Sequence, residues 1–176
     1  MTTAAHASKT LAITGATGFV GRHICRAALE RGWRIRALVR DTAEARKVLP
    51  TTGVDWLVGD ANDPAALRDL VADTGAVIHL IGIRREVKPS VTFRRMHVDA
   101  TRRIVEACRD AGVRRYVHMS ALGTRPNAAS AYHKTKWEAE QIVRRSSLDW
   151  TIFRPSRIHG ADGEFIRLLR AWVTQK

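Results

Sequence analysis

The stretch Thr10-Leu11-Ala12-Ile13-Thr14-Gly15-Ala16-Thr17-Gly18-Phe19-Val20-Gly21-Arg22-His23-Ile24 decides the fold. A short apolar run enters three glycines, and apolar residues then recur at helical spacing (Val20, Ile24, Ala27, Ala28), which predicts strand, tight turn and helix. Such a turn can cradle a phosphate. Gly15 can take the turn's unusual dihedrals, Gly18 lets the backbone approach an anion, and Gly21 lets the helix pack against the strand. The N–H groups and positive dipole end of the helix starting near Phe19 would face a pyrophosphate. A bare G-x-x-G-x-x-G also marks ordinary loops; the strand before it and the helix after it give the pattern its weight.

Working outward, the chain keeps alternating. Trp33–Val39 reads as a second strand ending at Arg40-Asp41, the position that meets an adenine ribose in dinucleotide-binding folds. Arg40 offers a fork for a 2′-phosphate, which favours NADP(H); Asp41 could instead take the 2′-hydroxyl of NAD(H). A short helix (Thr42–Leu49) precedes a third strand, Val54–Val58, that ends in Gly59-Asp60-Ala61. Asp60 suits either an adenine amino group or a turn. Asp63 and Pro64 then mark a helix start. Ala76–Ile81 is almost wholly apolar, as a central parallel strand should be, and Gly82 behind it can pass close to a nucleotide.

Ile83–Pro89 is basic and irregular, a loop, and a long helix is expected over Ser90–Ala111 with Gly112 as its stop. A fifth strand, Arg115–Met119, emerges at Ser120. An amphipathic helix opens at Ser130, a sixth strand covers Trp150–Phe153, and a short helix closes the chain at Glu164–Val173. These elements predict a three-layer α/β/α sandwich on a doubly wound parallel sheet of order 3-2-1-4-5-6, in one domain over 1–176 whose first nine residues are a flexible terminus.

The 176 residues carry 30 Lys and Arg against 17 Asp and Glu, a formal charge of +13. The basic residues come as scattered doublets (Arg84-Arg85, Arg94-Arg95, Arg102-Arg103, Arg114-Arg115, Arg144-Arg145) on polar helix faces, without the interleaved aromatics or recognition helix of a nucleic-acid module. Docking of these basic faces on an acidic partner, a membrane complex or anionic lipid stays open. No apolar run approaches ~20 residues and no signal-peptide pattern is present, so a cytoplasmic location is expected, with peripheral contact to the inner face of a membrane as an option. Cys25 and Cys108 lie far apart in expected helices and read as buried thiols, and the histidines lack metal-site spacing, so no metal is expected.

A second group of residues carries chemistry. Tyr132 and Lys136, four apart at the start of a helix, share one face. A phenol that must exchange a proton near pH ~7 needs about three pKa units of help, roughly 4 kcal/mol. One ammonium at ~4 Å supplies about that at an effective dielectric of ~20.

Taken together, Thr14 to Gly21, Ser120, Tyr132, Lys136 and Arg154-Pro155-Ser156 resemble the extended and atypical short-chain dehydrogenase/reductase superfamily. Val117 to Gly123 with the Arg-Pro-Ser is similar to bacterial relatives of the 39 kDa accessory subunit of respiratory complex I. The resemblance implies a Rossmann fold and bound NAD(P)(H), with Gly15, Thr17, Gly18, Phe19, Val20, Gly21, Arg40, Asp60, Ala61, Leu80, Gly82, Tyr132, Lys136 and Pro155 as cofactor contacts. It also implies Tyr132 as acid/base, Lys136 as holder of the nicotinamide ribose and depressor of the tyrosine's pKa, and Ser120 as the third catalytic residue. In the family's register the active-site Ser or Thr falls opposite Ala121 or Leu122, so Thr124 or Ser130 are alternatives to Ser120. Such proteins continue into a C-terminal substrate lobe, of which residues 157–176 would be the incomplete start. The expected function is therefore an oxidoreductase or epimerase/dehydratase acting on an unknown small molecule. Its rival is a non-catalytic NADPH-binding structural or sensor subunit of a respiratory or membrane complex.

Overall fold

The structure, a computed structural model, describes residues 9–160 and 163–174; residues 1–8 of the expected flexible terminus lie outside the described residues. Six parallel strands form one sheet in the order β3-β2-β1-β4-β5-β6. They are β1 (Thr10–Thr14), β2 (Arg34–Val39), β3 (Val54–Val58), β4 (Ala76–His79), β5 (Arg115–Met119) and β6 (Asp149–Phe153). Helices α1 (Phe19–Glu30), α2 (Thr42–Arg46), α3 (Pro64–Val71), α4 (Ala100–Asp110), α5 (Ala131–Arg144) and α6 (Glu164–Thr174) follow the strands.

The alternation of side chains along the strands separates two cores. Leu11 and Ile13 of β1, with Ile35, Ala37 and Val39 of β2, pack on Cys25 and Ala28 of α1 and Ala45 of α2. Ala12, Leu38, Val77 and Tyr116, on the opposite face, pack on Leu67 and Leu70 of α3, Ile104 and Cys108 of α4 and Val143 of α5. A sheet buried on both faces in this way needs near-continuous apolar strands, as β1 and β4 supply.

Two elements differ from the expected outline. β4 ends at His79, which pairs with Thr14, the last residue of β1; the Leu80 N–H still donates to the Thr14 carbonyl at 3.1 Å. The long helix begins only at Arg94, and as a π-helical turn, Arg94–Asp99, that runs into α4. Residues before it are held differently: Val87 and Val91 form an antiparallel bridge, and the Phe93 N–H donates to Glu86 Oε1 at 2.8 Å. Among the described residues no helix is long and apolar enough to cross a membrane.

Candidate functional site

In a sheet of this order the chain leaves β1 and β4 in opposite directions, which opens a crevice at the carboxyl ends of those strands. A cavity of about 700 Å³ occupies that crevice, lined among others by Gly15, Thr17, Gly18, Arg40, Asp60, Ala61, Leu80 and Gly82. Its floor is the glycine turn. Gly15 sits at φ 74°, and the Gly18 N–H donates to the Gly15 carbonyl at 3.1 Å. Gly18 is the N-cap of α1 without a side-chain cap, and the first intrahelical bond runs from the Arg22 N–H to the Gly18 carbonyl at 3.0 Å. The N–H groups of Phe19, Val20 and Gly21 thus form the positive end of a twelve-residue helix beside the cavity. These three bring backbone rather than cavity-lining side chains, and the Phe19 ring packs edge-on against His23 at 5.3 Å. A diphosphate group fits this floor, because the uncapped helix end offers its N–H groups and the turn is too tight for side chains: a Cβ on Gly18 would stand 3.2 Å from the Gly15 carbonyl oxygen.

Arg40 lies exposed at the end of β2, whereas Asp41 is committed elsewhere: its Oδ1 accepts the N–H groups of Ala43 (2.7 Å) and Glu44 (3.2 Å) as the N-cap of α2. Asp60 takes a turn role as well as a place in the wall. Its Oδ1 accepts the Asn62 N–H at 2.7 Å and the Asn62 side-chain amide at 3.1 Å, and Arg103 donates to Asn62 Oδ1 at 2.8 Å. The lining also includes Arg85 of the basic loop and Arg95 and Met96 of the π-helical turn, which the sequence pattern did not single out as site residues, since a scattered arginine doublet does not tell which member borders a crevice.

A smaller cavity of about 210 Å³ shares Leu80, Gly82 and Ile83 with the first and brings together Tyr132, Lys136, Ser120, Pro155, Ser156 and Arg84. Lys136 is 3% exposed, and its Nζ donates to the carbonyls of Met119 (3.0 Å) and Ile81 (3.3 Å). Burial pushes its pKa down to about 8, against the pull of the Glu140 carboxylate. A Cβ on Gly82 would lie 3.0 Å from that Nζ, so Gly82 gives the lysine its room. Burial pushes the Tyr132 phenol above its ordinary value, and the charge that opposes this is Arg84 rather than the expected Lys136.

Ser120 is buried, its Oγ 3.4 Å from Thr124 Oγ1. Thr124 is buried too, and Ser130 caps α5 by accepting the His133 N–H at 3.3 Å. One turn beyond Lys136, the fully buried Glu140 accepts a bidentate pair from Arg154, Nε at 2.7 Å and a terminal nitrogen at 2.6 Å. Burial acts to raise its pKa, but the bonds from Arg154 and Ser120 and the charges of Arg154 and Arg144 hold the carboxyl below its ordinary value. This pair ties α5 to the segment carrying Pro155, whose carbonyl accepts the Leu122 N–H at 2.8 Å. The signal for Glu140 was its spacing, eight residues after Tyr132 and four after Lys136 on the same helix face.

A buried polar chain runs behind the site. The Thr101 hydroxyl donates to the His97 carbonyl at 2.6 Å, so its oxygen accepts from His79 Nε2 at 3.2 Å, and His79 Nδ1 accepts the Thr14 hydroxyl at 2.7 Å. The Ile83 N–H donates to His97 Nε2 at 3.1 Å, which places the neutral ring's proton on Nδ1, 2.9 Å from Thr135 Oγ1. Desolvation first, then the charge of Lys136, lowers both His79 and His97 to about 3.

The family model described as NAD(P)H-binding matches residues 15–171. The chain belongs to the NAD(P)H-binding family. It is 36% identical over 150 residues to a ceramide reductase of Caulobacter vibrioides, a match covering 85% of this chain and 46% of that protein. It is 30% identical over 158 residues to the NADH dehydrogenase [ubiquinone] 1 alpha subcomplex subunit 9 of Rattus norvegicus, covering 88% and 42%. The chain thus spans about half the length of these curated relatives. Its fold is shared with the Bordetella bronchiseptica enzyme WbmH in complex with NAD+, at a TM-score of 0.80 and 22% identity over 96% of this chain and 64% of that one. The relatives fall where the resemblance to the short-chain dehydrogenase/reductase superfamily and the complex I subunit placed the chain, and the six-stranded parallel sheet is the expected Rossmann fold.

Proposed function

We propose that the protein holds NADP(H) and serves hydride transfer at an apolar carbonyl or hydroxyl compound, with Tyr132 giving or taking the proton. The observation that carries this reading is the meeting of Tyr132 and Lys136 with Gly82 in the cavity that continues the glycine-floored crevice. The first-turn N–H groups of α1 hold the pyrophosphate, and Arg40 grips the 2′-phosphate while Asp41 caps α2. The bound dinucleotide supplies the hydride. Lys136 spends two of its three N–H donors on carbonyls, and the third serves a ribose hydroxyl. Leu80, Ile83, Met119 and Ile158 around Tyr132 support an apolar substrate skeleton, and the name of the Caulobacter relative, ceramide reductase, is in keeping with that. A cytoplasmic site of action is part of this proposal.

Tyr132→Phe is expected to cut NADPH oxidation in a panel of apolar carbonyl compounds at least about 100-fold, the lower range of acid–base contributions, while NADPH affinity changes less than about twofold. Undiminished turnover in that variant would remove the tyrosine from the mechanism. For the cofactor, Arg40→Ala is expected to weaken NADPH binding about tenfold or more and leave NADH binding alone, as loss of a charged bidentate contact should. Wild-type protein that binds NADH as tightly as NADPH in a fluorescence titration would refute the role of Arg40.

One observation favours a second reading. Ser120 lines the smaller cavity, but its hydroxyl is engaged by Thr124 and Glu140, as suits a module that keeps NADPH without turning over. Its partner would be a respiratory or membrane assembly met through the basic faces, in keeping with the name of the rat relative. Retained NADPH that no carbonyl in the panel oxidises is the outcome expected of that reading.

A further inference from the structure

We infer that His97 is the positioning residue of Tyr132: one buried imidazole ties the first turn of α5 to the chain leaving β4 and carries the edge against which the phenol ring stands. Its catalytic consequence rests on the reading of Tyr132 as acid/base; the placement itself does not.

Each ring nitrogen has one assigned partner. The Ile83 N–H can only donate, so Nε2, 3.1 Å away, accepts. On the other side, Thr135 Oγ1 donates to the carbonyls of Ala131 (2.9 Å) and Tyr132 (3.0 Å), so its oxygen takes the Nδ1–H at 2.9 Å. Only the neutral ring with its proton on Nδ1 satisfies both partners. That tautomer couples three parts of the site. Through Ile83 it holds the segment whose Ile81 carbonyl accepts Lys136 Nζ at 3.3 Å, and through Thr135 it holds the helical turn that bears Tyr132. The third part is the Tyr132 ring itself, met edge-on at 5.3 Å and an interplanar angle of 88°.

Phe93 extends the same wall: it stacks on His97 at 5.4 Å and meets Tyr132 edge-on at 5.8 Å. Edge-on contacts depend on ring orientation, so the wall fixes the direction of the phenol as well as its place. It stands at the π-helical turn, a deviation that recurs at functional sites. The remaining ring neighbour, His133, belongs to the helix of Tyr132 and is tied instead to the loop after β5, its Nε2 3.1 Å from the Leu122 carbonyl.

Two measurements need neither cofactor nor substrate. In nitrogen NMR spectra of the imidazoles near neutral pH, His97 is expected as the Nδ1–H tautomer. The Hα–Hβ couplings of Tyr132 are expected to show one side-chain rotamer in the wild type and averaging over rotamers in His97→Leu, which keeps bulk but offers neither ring edge nor bond. His97→Gln, whose amide oxygen can accept the Ile83 N–H, is expected to regain much of the single rotamer. In NADPH-dependent reduction, His97→Leu is expected to lower kcat about tenfold with KM within about twofold, short of the roughly 100-fold that a ~1 Å misplacement can cost, and His97→Gln to recover about threefold of that loss. A charged or Nε2–H imidazole would overturn the inference, as would a folded His97→Leu in which Tyr132 keeps one rotamer or kcat matches the wild type. The tautomer is read in the wild type even if His97→Leu does not fold. A wild type that turns nothing over sinks the acid/base reading, while the tautomer and the couplings still decide the placement.

Discussion

Gly21→Ala is expected to destabilise the protein by about 3 kcal/mol or more and to abolish dinucleotide binding, the upper end of what overpacking does. The added methyl would stand 2.2 Å from the Gly15 carbonyl oxygen, 2.6 Å from the Ala16 carbonyl oxygen and 2.8 Å from the Ala16 carbonyl carbon. All three are backbone atoms of the phosphate turn, so no rotamer change relieves the clash. α1 must lift off the end of β1 or the turn must open, and either movement spoils the helix end that faces the cavity. For a domain of this size the loss corresponds to a fall in melting temperature of about 10 °C. Gly18→Ala makes the comparison informative. Its φ of −67° suits alanine and its one close Cβ contact is 3.2 Å, so the fold should survive with a much smaller loss. Thermal melts and NADPH titrations of the two variants check this; Gly21→Ala melting with wild type would show that the helix does not pack on the turn this closely.

The same glycines explain how much of the molecule was legible in the sequence. A residue type that only one geometry requires leaves a mark, so β1, the turn, α1 and the strand order were all readable from Gly15, Gly18, Gly21 and the apolar runs. Tyr132 and Lys136 were readable for a like reason, since helical spacing alone puts them on one face. What one residue does for another across the sheet was not. Lys136 looked like the tyrosine's activating cation because the spacing says nothing of where an ammonium points, and here it points at the Ile81 and Met119 carbonyls. Arg84 and Glu140 were hidden by their ordinary surroundings: one is an arginine among many in a loop, the other a glutamate in a helix. Only the fold shows that the second is fully buried against Arg154. His79, His97 and His118 escaped notice because three scattered histidines carry no pattern until β4, the π-helical turn and β5 bring them together.

Those three histidines predict steep acid sensitivity. All are almost completely buried; His79 and His97 are lowered to about 3, and His118 well below its ordinary value, in each case mainly by desolvation. In the unfolded chain each titrates near pH ~6.5. Below that value the unfolded state binds protons that the native state refuses, so stability is complete above pH ~6.5 and falls as pH falls toward the native values. Each histidine contributes a slope of up to about 1.4 kcal/mol per pH unit, so three approach about 4 kcal/mol per unit once pH is below ~5.5. A domain whose stability is about 6–10 kcal/mol, within the usual range, is then expected to unfold between about pH 4 and 5. Glu140, held low by Arg154, adds in the same direction only below the ordinary carboxylate range. Urea midpoints measured from about pH 8 to about pH 5 read the slope directly, and a flat profile would mean that the rings charge without cost in the native state. His118→Phe isolates one ring. Its ring nitrogens have no hydrogen-bond partner among the described residues, so phenylalanine sacrifices no bond, and the stacking on His79 at 5.6 Å can persist. The variant's stability should therefore fall less steeply below pH ~6.5 than the wild type's, by up to about 1.4 kcal/mol per unit, whatever it loses or gains in packing at neutral pH.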